Sequence, residues 1–195
     1  MNATSLTAAS TDSLAVTRLR LTRFRNYASL ALDLEPLTIV ATGPNGAGKT
    51  NLLEAISFLA PGRGLRGARL SDIDPAPAGE TACTARDFGW AVAATVKTSE
   101  GPIEIGTGRN AGEERRTVRI AGKPYKSQAA LSEFVSAVWL TPQMDRIFVD
   151  GPSGRRRFLD RLVFGFDTAH SGRVSAYESA MRQRAKLLRD GVGDD

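Results

Sequence analysis

The chain has 195 residues, enough for one ordinary domain with a real core, and its 42% hydrophobic and 24% charged content is that of a soluble globular protein. A lone cysteine, Cys83, excludes a disulfide framework and fits a reducing, cytoplasmic setting, while a lone histidine, His170, argues against a histidine-based metal site or a Ser-His triad. No window approaches the length of a membrane span, and the net charge of +5 permits nucleic-acid binding without requiring it.

Residues 1–13 are rich in Ser, Thr and Ala and lack a basic start, which predicts a disordered tail and not a signal peptide. Residues 15–24 alternate, with Val16, Leu19 and Leu21 set against Arg18, Arg20 and Arg23, and predict a first strand. A short loop through Phe24, Arg25, Asn26 and Tyr27 leads into a second strand over 29–34. The apolar, β-branched run at 37–41 (Leu-Thr-Ile-Val-Ala) then predicts a short buried strand.

Directly after it stand Gly43, Pro44, Asn45, Gly46, Ala47, Gly48, Lys49 and Thr50, a complete G-x-x-x-x-G-K-[ST] phosphate loop. Its backbone N–H groups suit the phosphates of a nucleoside triphosphate, and the glycines permit a close approach free of side chains. Lys49 would set its ammonium on the β- and γ-phosphates, and Thr50 would offer its hydroxyl to Mg²⁺. Asn51 opens a run with apolar residues at 52, 53, 56 and 59, a helical spacing stopped by Pro61-Gly62. Strand, glycine loop and helix is the order this chemistry needs, because the helix N-terminus itself attracts anions.

From 61 to 88 the chain is punctuated by Gly, Pro and Asp and predicts loops. Residues 90–96, 103–105 and 118–120 then predict three strands of a small antiparallel sheet at about 88–121, inserted after the nucleotide loop. The charged turn at 109–114 joins the last two. A helix is expected over 127–135 and a short buried strand over 137–140. Farther on, Ser153 suits a helix N-cap, and Phe158, Leu159, Leu162, Val163 and Phe166 make an apolar stripe. Arg155, Arg156 and Arg157 fall in the first turn of that helix, where positive charge opposes the dipole by roughly 0.3–1 kcal/mol each. Asp160 can pair with one of them. The remainder points to an acidic partner or a phosphate, set against a solvated basic turn. A further helix spans 177–188.

Several of these segments together resemble the RecF family: Phe24-Arg25-Asn26-Tyr27, GPNGAGKTNLLEAI at 43–56, Gly62-Arg63-Gly64, Thr141 to Arg146, and GRRRFLDRL at 154–162. The resemblance runs from about 16 to 190 and implies an α/β fold: a P-loop ABC-type ATPase head with an inserted antiparallel sheet, kin to SMC heads. The expected organisation is a nucleotide-binding lobe over 14–150 and the start of a helical second lobe over 151–195. It implies ATP and Mg²⁺ as cofactors and an ATP-dependent homodimer. Its DNA partner is expected at single-strand gaps or ss/ds junctions, and its protein partners are RecO and RecR, acting indirectly on RecA. By position it assigns residues 43–50 with Asn51 to the nucleotide and Arg25 and Asn26 to nucleotide contacts. Gln143 falls in the stretch that senses γ-phosphate and metal, and Arg155, Arg156 and Arg157 belong to the DNA-facing basic surface. The signature motif and the apolar strand ending in Asp-Glu that ABC-type heads need are absent. The resemblance therefore describes an N-terminal portion, with weak DNA-linked ATPase activity expected only of an intact dimer.

Two other classes fit the residues. A different P-loop enzyme, such as a small-molecule kinase, would turn over as a monomer. A DNA-binding module with a purely structural phosphate loop would bind DNA regardless of ATP.

Overall fold

The computed structural model describes residues 14–75, 89–149, 151–167 and 169–191. Six strands form one open antiparallel sheet in the order β2-β1-β3-β4-β5-β6. They are β1 (Ala15–Phe24), β2 (Tyr27–Asp33), β3 (Trp90–Thr98), β4 (Gly101–Arg109), β5 (Arg116–Ile120) and β6 (Lys123–Tyr125). Among the described residues three α-helices accompany it: α1 (Lys49–Ser57), α2 (Pro152–Phe164) and α3 (His170–Asp190). No helix among the described residues is long and apolar enough to cross a membrane.

Period-two alternation builds the sheet. On β1, Leu19 and Leu21 are buried while Arg18, Arg20 and Thr22 face water. On β3 the buried set is Trp90, Val92, Ala94 and Val96, and Ala94 faces Ile105 on β4, itself opposite Ile120 on β5. Arg23 then breaks the alternation. Its positive φ of 50° twists the end of β1, so that Phe24 and not residue 23 enters the core. There Phe24, Phe58 and Trp90 meet edge-on or tilted, with ring centroids 5.2–6.0 Å apart, and the Trp90 indole N–H donates to the Leu70 carbonyl at 3.0 Å. Each fully buried side chain of this size stabilises the fold by about 1.5–3 kcal/mol, which fixes α1 onto one face of the sheet.

The α/β class expected from the sequence holds, with several local departures. The antiparallel strands expected near 88–121 are present, and β3 pairs along most of its length with β1, which joins them in one sheet with the N-terminal hairpin. Residues 38–44 form no strand, and Leu37, Ile39 and Val40 are exposed at 70%, 56% and 77%. The apolar, β-branched run supplied the strand expectation, but no strand among the described residues pairs with that segment. The same applies to 137–140, where Val138 and Leu140 are exposed. The helix expected over 127–135 is a 3₁₀ turn at Gln128–Glu133, capped by the Ser127 hydroxyl on the Ala129 N–H. Ser153 is no cap: α2 starts at Pro152 after Gly151, since proline fits a first helical position that needs no N–H. Asp160 does not pair with the arginine triplet but with His170 Nε2 on α3, at 2.9 Å. The last helix begins at His170, seven residues before the expected start. The expected disordered tail at 1–13 lies outside the described residues.

Candidate nucleotide site

The phosphate loop is shaped by backbone geometry. Gly43, Gly46 and Gly48 have φ of +142°, +85° and +96°, values that L side chains rarely adopt. Gly48 is needed for space as well: a methyl group there would lie 2.7 Å from Asn26 Nδ2 and from the Tyr27 hydroxyl. The loop delivers the chain into α1, with Gly48 at the N-cap and no acidic residue in the first turn. The first N–H groups of a helix have no intrahelical partner, and with the dipole they make an electropositive end. Lys49 Nζ donates to the carbonyls of Gly43 and Pro44, both at 2.7 Å, which holds the ammonium inside the curve of the loop. Thr50 is exposed beside it. Free backbone donors, one ammonium, one hydroxyl and no acid in the first turn fit a polyphosphate, with Thr50 the side chain placed to hold its cation.

Behind the loop stands a network the sequence did not announce. Glu54 is fully buried on α1 and binds two arginines. Arg25 donates to it through Nε at 2.9 Å and Nη2 at 2.8 Å, and Arg66 through Nη1 at 2.7 Å. Arg66 also donates to Asn51 Oδ1, and Asn51 Nδ2 donates to Asn26 Oδ1, each at 2.7 Å. The Arg25-Asn26 hairpin turn, the start of α1 and the loop after it are thereby tied together. One carboxylate against two guanidiniums leaves positive charge in excess.

Arg25 itself carries backbone strain. Its φ of +56° is one that a hairpin turn usually gives to glycine. The side chain explains why glycine is not there. Besides Glu54, Arg25 donates through Nη1 to the Asp72 carbonyl at 2.6 Å, and its backbone N–H reaches the Ile73 carbonyl at 2.9 Å. A second ion pair, Arg109 with Asp74, is buried at the end of β4. Burial pushes the Asp74 carboxyl above its ordinary value, against the pull of the Arg109 guanidinium, and its Oδ1 accepts no hydrogen bond.

Of the residues singled out from the sequence, the structure brings together residues 43–51 with Arg25 and Asn26. Gln143 lies in a separate 3₁₀ turn, Pro142–Arg146, and its side chain is outside the described residues. Arg155, Arg156 and Arg157 are exposed on α2, apart from the loop in the chain. Arg155 donates to the Phe148 carbonyl at 3.4 Å, Arg156 lies 5.9 Å from the Tyr177 ring centroid, and Arg157 donates to the Ser153 carbonyl at 3.2 Å. Glu54 and Arg66 were missed. The available signal was an acid one residue from the apolar stripe of α1, which needs a cationic partner if it is buried.

A glycine phosphate loop feeding an α/β core defines the class. Residues 18–133 match the family model described as AAA domain, and the chain belongs to that family. Curated relatives carry the comparison further: the chain is 49% identical over 182 residues to the DNA replication and repair protein RecF of Mesorhizobium japonicum, covering 92% of this chain and 46% of that protein. The RecF of Agrobacterium fabrum is 47% identical over 186 residues, covering 94% and 48%. The RecF resemblance read from the motifs is borne out, and the chain spans about half the length of the curated relatives it matches. Among solved structures, the recombination mediator protein RecF-ATPrS in the RecFOR pathway superposes with a TM-score of 0.78 at 23% identity, covering 94% of this chain and 48% of that one. A structure from work on ATP-driven dimerization and DNA-stimulated activation of SMC ATPases gives 0.57 at 17% identity, covering 76% and 99%. These two likenesses show the fold alone.

Proposed function

We propose that this chain forms the ATP-binding lobe of a RecF-type DNA replication and repair ATPase acting in the cytoplasm. The observation that carries the reading is the loop at 43–50: three positive-φ glycines, the Lys49 ammonium and a helix start without acids converge on one polyanion site. ATP is held by residues 43–51, with Arg25 and Asn26 at its flank, and Mg²⁺ by Thr50 with Gln143. Two heads close around the nucleotide, which acts as a clamp between subunits more than as fuel. The dimer engages DNA at single-strand gaps or junctions, with Arg155, Arg156 and Arg157 on its basic surface. It works with RecO and RecR to assist RecA loading. In this reading the exposed apolar side chains at 37–41 and 137–140 would take strand partners from the rest of the head.

Lys49→Ala tests the reading. A hydrogen bond to a charged group is worth about 1.5–3 kcal/mol, so ATP affinity should fall roughly ten- to a hundredfold in a fluorescent-nucleotide titration of the full chain. ATP-dependent dimerisation, followed by sedimentation, should be lost with it. An affinity within twofold of the parent would sink the proposal.

A further inference from the structure

A broad cleft lies away from the phosphate loop. It has a volume of about 710 Å³ and opens between the turns that follow α1 and the β5–β6 hairpin. Five cations line it, Arg63, Arg69, Arg115, Arg116 and Lys126, against one acid, Glu114. The whole chain carries a net charge of only +5, so the cleft concentrates most of the surplus in one concave surface. A concave, one-signed site focuses its field and raises the local concentration of the opposite charge.

The pairing of these cations is the decisive point. Arg116 forms the floor, half-buried, and its guanidinium is satisfied entirely by neutral groups. It donates to the carbonyls of Phe58 and Gly62, the latter at 2.9 Å, and to Gln128 Oε1 at 2.9 Å and Thr107 Oγ1 at 2.7 Å, and it lies 5.2 Å from the Phe58 ring centroid. No carboxylate among the described residues pairs with it, and burial pushes its pKa down to about 10. Above it, the side chains of Arg63, Arg69 and Lys126 are exposed and make no ion pair among the described residues. Arg115 is fixed by a bond from Nη2 to the Lys126 carbonyl at 2.6 Å. A charged floor and three rim cations, none of them ion-paired among the described residues, ask for an anion.

We propose that this cleft binds the phosphodiester backbone of nucleic acid, with Arg63, Arg69 and Lys126 as the contacting groups. The cleft would hold roughly twenty waters at about 30 Å³ each, far more room than one phosphate fills, so a repeating polyanion engages it better than a free ion. Among the described residues its lining contains no aromatic side chain to serve as a platform for stacking bases. Binding here is therefore through phosphates and indifferent to sequence. Through Arg116 the floor is bonded to the carbonyls that end α1, the helix whose other end shapes the phosphate loop.

The proposal rests on the DNA-binding part of the proposed function, and the test separates the two. Arg63→Gln, Arg69→Gln and Lys126→Gln are combined in the full chain, and binding to a mixed-sequence duplex is followed by anisotropy between 50 and 200 mM salt. Each lost phosphate contact lowers the slope of log K against log salt by about 0.9, so the triple variant should lose about 2.7. Its ATP affinity should stay at the parent value. The double variant Arg63→Gln/Lys126→Gln spares the turn that carries Arg69 and should lose about 1.8 even if the triple variant folds poorly. A slope unchanged in both variants, with a parent that binds duplex, overturns the cleft and leaves the DNA reading standing. A parent without salt-dependent duplex binding overturns both.

Discussion

Glu54→Gln probes the joint between the phosphate loop and its surroundings. The substitution keeps the shape of the side chain and removes its charge. Glu54 is fully buried and accepts three charged hydrogen bonds, two from Arg25 and one from Arg66. Glutamine has a single acceptor oxygen, and its amide would point N–H groups at a guanidinium. Removing one partner of a buried ion pair costs about 3–5 kcal/mol, because the other charge is left without compensation. Arg66 can turn into water, since its side chain is 41% exposed, whereas Arg25 is only 19% exposed and is also bonded to the Asp72 carbonyl. The cost should therefore fall near the lower bound, about 3 kcal/mol, on the order of a hundredfold in the folding equilibrium. With a urea m-value of about 2 kcal/mol/M, the midpoint should move down by about 1.5 M at unchanged slope. Arg25→Gly should cost less, because glycine adopts a φ of +56° freely and Glu54 keeps Arg66. In the double variant the two costs should not add. A Glu54→Gln midpoint shift corresponding to less than about 1 kcal/mol, or simple additivity, would show that water satisfies these groups and that Arg25 is not held by this carboxylate.

Gly48→Ala should cost about 1–3 kcal/mol and weaken nucleotide binding, because a methyl group there meets Asn26 and Tyr27 at 2.7 Å in addition to the strain of a +96° φ. Gly46→Ala, with nothing within 4 Å of the added methyl, should show the backbone strain alone; equal losses in thermal melts and nucleotide titrations would refute the steric part. Arg109→Met leaves Asp74 buried without its cation and should cost about 3–5 kcal/mol at pH 7. Burial already raises the Asp74 carboxyl, and losing Arg109 raises it further, so the folded state takes up the proton first and the penalty should shrink as the pH falls toward the carboxyl range. A penalty independent of pH in denaturant titrations would contradict this account.

What the sequence made legible was whatever depends on local pattern. The strand at Ala15–Phe24 is written in alternation, the loop in glycine spacing, and the helix after it in its apolar stripe. What it hid depends on partners far away in the chain. Glu54 reads as one more acid on a helix until Arg25 and Arg66, 29 and 12 residues away, converge on it. Arg116 reads as a surface cation at the start of a strand, yet its guanidinium closes the end of α1 some 58 residues earlier. Asp160 has an arginine at helical spacing and still pairs with His170, because packing α2 against α3 brings that imidazole closer.

The segment at 37–41 joins these two kinds of information. Its residues have the β-branched, apolar character of a buried strand, and three of its side chains stand more than half exposed. Propensity states what a residue would suit, whereas a strand exists only where a neighbour supplies the other half of its hydrogen bonds. This has a consequence for the site. The exit of the phosphate loop is firm, because α1 is packed through Ala55, Phe58 and Leu59 and tied through Glu54. The entry, through residues 38–44, rests on no hydrogen-bonded ladder among the described residues. A loop anchored at one end must lose conformational freedom when phosphates order it, and each residue fixed costs roughly 1–2 kcal/mol. Nucleotide affinity in this lobe is therefore set as much by what pairs with 37–41 as by Lys49, and a partner strand that stiffens the entry will tighten nucleotide binding without touching the nucleotide.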